Sequence, residues 1–176
     1  MTLYSTILFL HVLGMLGLVT ALGIEWVLLR YVARAGSREE AQACLRPTIV
    51  LPPLAIVSTL LVLFSGIYLA VHLRAWDQAW VRVSFWALLA IATLGIFAGR
   101  RMRALHQVSS EIRELVNNPR LQTPIRIRFS LLLAIVFLMV VHANVALSLS
   151  TMGAALAIGL AWSAPAWKAT RLLKNS

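Results

Sequence analysis

A single cysteine, Cys44, leaves the chain without an internal disulfide or a CxxC pair, so neither a covalent staple nor a cysteine-rich metal site can support the fold. Acidic residues are nearly as scarce, six against sixteen Lys and Arg. Charged residues make up only 12% of the chain and apolar residues 60%, with a mean hydropathy of +0.84. Soluble domains run at about 45–50% apolar, so this composition excludes one. Also missing are the HExxH, GxSxG, P-loop and Rossmann glycine patterns, which removes the usual sequence grounds for hydrolytic or nucleotide chemistry. There is no 20-to-50-residue repeat and no lipidation signal. The N-terminus lacks a basic n-region and its apolar run is too long for a signal peptide, so the first span is expected to be retained.

What is present is a series of long apolar runs. Leu3 to Leu29 holds one histidine, His11, and one acid, Glu25. At 1.5 Å per residue it reaches about 40 Å as a helix, enough to cross a hydrocarbon core of roughly 30 Å. Further spans are read at about 48–73, 83–99, 129–149 and 152–167, the last bent or ended near Pro165. Between the first two, Ser37 and Glu40 form a capping box for a short helix. The turn from His72 to Arg82 carries Trp76 and Trp80, rings suited to the headgroup level. From Arg100 to Arg128 a polar connector has an amphipathic helical pattern through Ile112, Leu115 and Val116, then a turn at Asn117-Asn118-Pro119.

The net charge of +10 fits topology better than nucleic acid, because the basic residues cluster beside apolar spans and not on a water-exposed module. Residues 30–46 hold four Arg, residues 100–128 seven and residues 168–176 three basic residues, which places fourteen of sixteen on one side of the bilayer. Cytoplasmic loops carry that excess. The expected fold is therefore an all-α polytopic transmembrane bundle of five spans, with the N-terminus outside and the C-terminus in the cytoplasm. Four spans would put the basic tail outside. The expected location is a bacterial inner membrane, with the lipid bilayer as partner and a membrane redox partner or a second copy of the chain as further candidates.

Ionisable groups inside spans are the natural functional candidates. His11 and Glu25 lie fourteen residues apart, which brings them to within about 40° on one helix face. In the fourth span His142 and Arg128 repeat that spacing. If the first and fourth helices run antiparallel and face one another, an outer level holds His11 with His142 and an inner level holds an ion pair, Glu25 with Arg128. Two imidazoles at one depth can ligate a haem b from either side. Copper is the alternative, with Met15 four residues after His11 and Met139 three before His142 as soft thioethers. The plainer reading makes the histidines helix-to-helix hydrogen bonds and Glu25 and Arg128 interfacial anchors. His72, at the outer edge, and His106, in the connector, read as surface residues. No catalytic residue is assigned.

Four stretches, Phe9-Leu10-His11-Val12-Leu13-Gly14, Ser65-Gly66-Ile67-Tyr68-Leu69, Arg100-Arg101-Met102-Arg103 and Phe137-Leu138-Met139-Val140-Val141-His142, resemble an uncharacterised family of bacterial integral membrane proteins. That family is distantly similar to the copper-resistance D-type proteins and the haem-containing membrane protoporphyrinogen oxidases. The resemblance implies a haem or metal role for His11 alone. The family pattern has Lys where this chain has His142, and it implies no established activity. Two function classes follow: a redox or haem-handling protein of b-type cytochrome character, or a non-enzymatic bundle for transport, copper handling or partner binding.

Overall fold

The computed structural model describes residues 2–35, 37, 39–40, 43, 50–107 and 119–174, with side chains described except at 33, 101–107, 119–121 and 165–174. The amphipathic pattern at Ile112, Leu115 and Val116, the Asn117-Asn118 turn, Cys44 and the His106 side chain lie outside the described residues. Among the described residues five long helices make up the fold: α1 Leu3–Arg34, α2 Leu51–His72, α3 Ala79–Gln107, α4 Pro119–Val141 and α5 Val145–Lys174. A 3-10 turn, Ala75–Asp77, joins α2 to α3, and no strand occurs among the described residues.

Each helix is punctuated by local chemistry. Thr2 caps α1 by accepting the Ser5 N–H. Pro52 sits in the first turn of α2, where its missing N–H has no helical acceptor to lose. Arg74 takes the left-handed conformation that lets the chain leave α2 for the short turn. Ser37 Oγ accepts the Glu40 N–H at 3.2 Å, the capping half of the expected box.

All five helices contain a stretch long and apolar enough to cross a membrane: Leu3–Val32, Leu51–His72, Ala79–Arg100, Gln122–Val141 and Val145–Ala164. Their outward faces are apolar too, with Phe9, Phe64, Trp86 and Val140 all more than 60% exposed. In water such a surface would be an aggregation patch, whereas lipid tails solvate it. These are the helices of a multi-pass membrane protein. The end that holds Thr2, the Ala75–Asp77 turn and Val141 is called outer below, after the orientation that the charges predict.

In lipid, helices gain little from hiding apolar surface and pack where small residues allow close approach. α1 and α2 form one tight hairpin and α4 and α5 a second, with α3 packed along α4. Small residues make the first hairpin close. A Cβ added to Gly14 would come 2.9 Å from Val62 Cγ2, and one added to Gly17 would strike Ser58 Oγ. In the second hairpin, Gly159 rests on the α4 backbone at Ile127. The α1–α2 pair meets the α3–α4–α5 layer along a seam whose core is Leu18, Leu22, Leu88, Ile91, Ile135 and Leu138.

Two expected boundaries are corrected. α4 ends at Val141 and α5 begins at Val145, so the break between the fourth and fifth spans lies at residues 142–144 and not near 148–152. His142 has φ 51°, a left-handed stop, and Asn144 then caps α5 by accepting the Leu147 N–H at 2.9 Å. Pro165 does not end the fifth helix, which continues to Lys174.

Candidate functional site

The seam between the two layers carries the polar groups of the interior at two levels. Near the outer end, His11 projects from α1 toward α2. Its Nδ1 lies 3.0 Å from Ser65 Oγ, and Gly66 leaves room for the ring, since a Cβ there would sit 3.1 Å from His11 Cε1. The network fixes the tautomer. The single Ser65 hydroxyl proton goes to the Leu61 carbonyl, with that of Val62 at 3.3 Å, so Nδ1–H is the donor to Oγ. Nε2 of the neutral ring therefore keeps its lone pair, and the ring is in addition hydrogen-bonded to the Val62 backbone.

His11 borders a cavity of about 220 Å³ roofed by the outer turn. Trp80, Val81, Ser84, Phe85 and Leu88 of α3 form one wall, a stripe at i, i+1, i+4, i+5 and i+8 that a helix puts on one face. Tyr4, Trp76 and Met139 contribute from α1, the turn and α4. The lining is overwhelmingly apolar, with one notable exception besides His11. Ser84 is buried, and its hydroxyl has no hydrogen-bond partner. A buried hydroxyl usually finds one, so an orphan in a cavity wall marks a place where a ligand atom can supply it.

His142 stands apart from this site. It lies beyond the last residue of α4, exposed, with its Nδ1 3.2 Å from the Val140 carbonyl and its ring edge-on to Trp80 at 4.9 Å. It is not in the cavity wall, and neither is Met15, which packs against the core. The expected outer level is thus divided: His11 and Met139 share the cavity, while Met15 and His142 do not. The cavity offers one imidazole and not the two that bis-histidine haem ligation requires. Among the described residues no three His, Cys, Asp or Glu side chains gather as a metal-binding group.

The inner level joins α1 to α4. Arg128 Nη1 lies 3.0 Å from Glu25 Oε2 and 3.4 Å from Oε1, and both residues are buried. Gly95 of α3 makes space for the guanidinium, because a Cβ there would come 2.9 Å from Nη2. Arg128 Nε is left buried without an acceptor. Beside the pair is a cleft of about 370 Å³ between α2 and α3, bordered by Thr59, Gly99 and Arg100. His11 shares the outer cavity with Met139, Glu25 meets Arg128, and Arg34 shares the inner cleft with Gln122, so α1 and α4 run antiparallel.

Ser84 and Ser65 were the polar partners that sequence reading passed over as partners of the site. Ser65 enters the sequence reading only within a stretch of family resemblance, although a hydroxyl beside a glycine at an intramembrane helix contact is also a hydrogen-bonding signal. No family profile, curated protein or solved structure matches the chain.

Proposed function

We propose that the chain is a multi-pass protein of a bacterial inner membrane that binds a small, mainly apolar molecule carrying a hydroxyl or N–H donor. The observation that carries this reading is the pairing, in one apolar cavity, of a histidine acceptor oriented by Ser65 with the unpartnered Ser84 hydroxyl. An apolar pocket with a few convergent polar groups is the general form of a small-molecule site. His11 Nε2 accepts the ligand's proton, and Ser84 donates to or accepts from a second polar atom. The aromatic rings of Trp76 and Trp80 cover the apolar body. This belongs to the non-enzymatic class of function, and it invokes no redox step. Kinship with the copper-resistance D-type proteins and the membrane protoporphyrinogen oxidases is carried as a further proposal, resting on the four sequence stretches alone.

The test compares 1-naphthol with naphthalene, a probe pair that differs by one hydroxyl, on the purified full chain after correction for detergent partitioning. An unmade hydrogen bond to a buried acceptor costs about 1–3 kcal/mol, so naphthol should bind roughly 5- to 150-fold tighter. His11→Ala should abolish that preference while leaving the affinity for naphthalene in place. Equal binding of the two probes to the native chain, or a preference that survives His11→Ala, would overturn the reading.

A further inference from the structure

At the opposite end of the α1–α4 contact, three arginines converge, and no acid among the described residues pairs with them. Arg30 and Arg34 of α1 and Arg126 of α4 border a cleft of about 230 Å³, together with Trp26 and Gln122. No carboxylate of the described residues lies in its wall. Among the described residues the ion pair is that of Glu25 and Arg128, and none of these three arginines has an acidic partner. Gathering like charges beside a low-dielectric slab is unfavourable unless an anion joins them.

Two of the arginines, Arg30 and Arg126, are also held in place. The Arg30 guanidinium stacks over the Trp26 ring at 4.8 Å, Trp26 packs against Trp162 at 5.5 Å, and Arg126 lies over Trp162 at 5.8 Å. Arg126 further donates to Gln122 Oε1 at 2.7 Å and to the Trp162 carbonyl. Stacking uses the face of the Arg30 guanidinium and leaves its edge N–H groups free, the geometry that grips a phosphate in its plane, while Arg126 keeps the N–H groups that its two hydrogen bonds do not use. Depth identifies the source of the anion. The crossing stretch of α1 ends at Val32 and that of α4 begins at Gln122, so the cleft lies where headgroups lie.

We infer that this cleft binds the phosphate of an anionic phospholipid in the leaflet at the inner end of the bundle. A free phosphate ion shares that chemistry, but the depth of the cleft between two crossing helices favours a phosphate delivered by lipid. This site is independent of the outer cavity and stands or falls separately from it.

The experiment reconstitutes the full chain in vesicles and measures, by electron paramagnetic resonance, the immobilised fraction of spin-labelled phosphatidylglycerol against spin-labelled phosphatidylcholine. Phosphatidylglycerol should associate preferentially at low ionic strength. Arg30→Gln and Arg34→Gln should each lower that preference about 5-fold, the value of roughly one interfacial arginine. Arg34 makes no hydrogen bond or ring contact within the described fold, so its variant separates binding from folding. Arg82→Gln, at the outer end, removes the same charge and should leave the preference unchanged. Equal association of the two lipids, or a preference insensitive to both inner variants, would overturn the proposal. So would loss of the bound lipid in phosphate buffer but not in chloride of equal ionic strength, which would assign the cleft to the free ion.

Discussion

Arg128 on α4 holds Glu25 on α1 through Nη1, 3.0 Å from Oε2, and this ion pair bridges the two layers of the bundle. Taking one member away strands the other in a buried place, which costs about 3–5 kcal/mol, whereas replacing both by apolar residues of similar volume is close to neutral. Glu25→Ala should therefore lower the thermal midpoint in detergent sharply, and Glu25→Met combined with Arg128→Met should recover most of the loss. A single variant as stable as the native chain would show that water reaches the pair.

The α1–α2 hairpin depends on backbone proximity. Gly17→Val forces a side chain into Ser58 and should cost about 1–3 kcal/mol, the usual penalty of overpacking. Gly23→Ala meets nothing within 4 Å and should be neutral or gain up to about 1 kcal/mol in helix propensity. Denaturation of the two variants side by side checks the contrast.

Ser84→Ala should separate stability from binding. Removing an orphaned hydroxyl relieves its desolvation penalty, so the unliganded protein should be as stable as the native chain or more so. The affinity for a naphthalenediol, whose second hydroxyl Ser84 would meet, should fall in the same variant, while that for 1-naphthol should hold. A parallel loss of stability would mean that the hydroxyl has a partner in the bilayer-embedded protein.

The histidines make opposite predictions. In protein from haem-replete cells, a Soret band carried by His11 would vanish in His11→Ala and persist in His142→Ala, because His142 lies outside the cavity wall. Absorption spectra of the two variants decide this. Loss of the band in His142→Ala would restore a two-histidine site.

If all five helices cross, the ends of the chain lie on opposite sides. A reporter that acts only in the cytoplasm should be active when fused after Ser176 and silent when fused before Met1. The reverse pattern would invert the assignment drawn from the basic residues.

Hydropathy together with the split of basic residues was enough to read the five helices, since each contains a long apolar run and only an odd number of crossings puts the basic tail with the basic loops. It could not find the α4–α5 corner, because apolar residues continue through Val141 and Val145 and only the short His142-Ala143-Asn144 stretch interrupts them. The capping asparagine was the available signal. Equal fourteen-residue spacings pointed from Glu25 to Arg128, the group it meets. The same arithmetic failed at the other level for a geometric reason. About 40° separates His11 from Glu25 around α1, enough for one to face α2 while the other faces α4. Nor does apolar sequence tell which helix faces which, since lipid and protein interiors are alike in polarity. Ser84 was invisible for that reason: its significance lies in a cavity assembled from five separate segments.

The Trp26–Trp162 contact has a bearing on how the molecule can be watched. These indoles come from the first and last helices, which otherwise hardly touch, and their rings lie 5.5 Å apart at 59°. Transition dipoles that close and that oblique couple, so the far-ultraviolet circular dichroism of the assembled bundle should carry a split indole signal that neither helix produces alone. Trp162→Phe removes it without removing the ring. The chain thus contains an optical gauge of whether its N-terminal hairpin has closed on its final helix, readable during insertion and refolding without any added label.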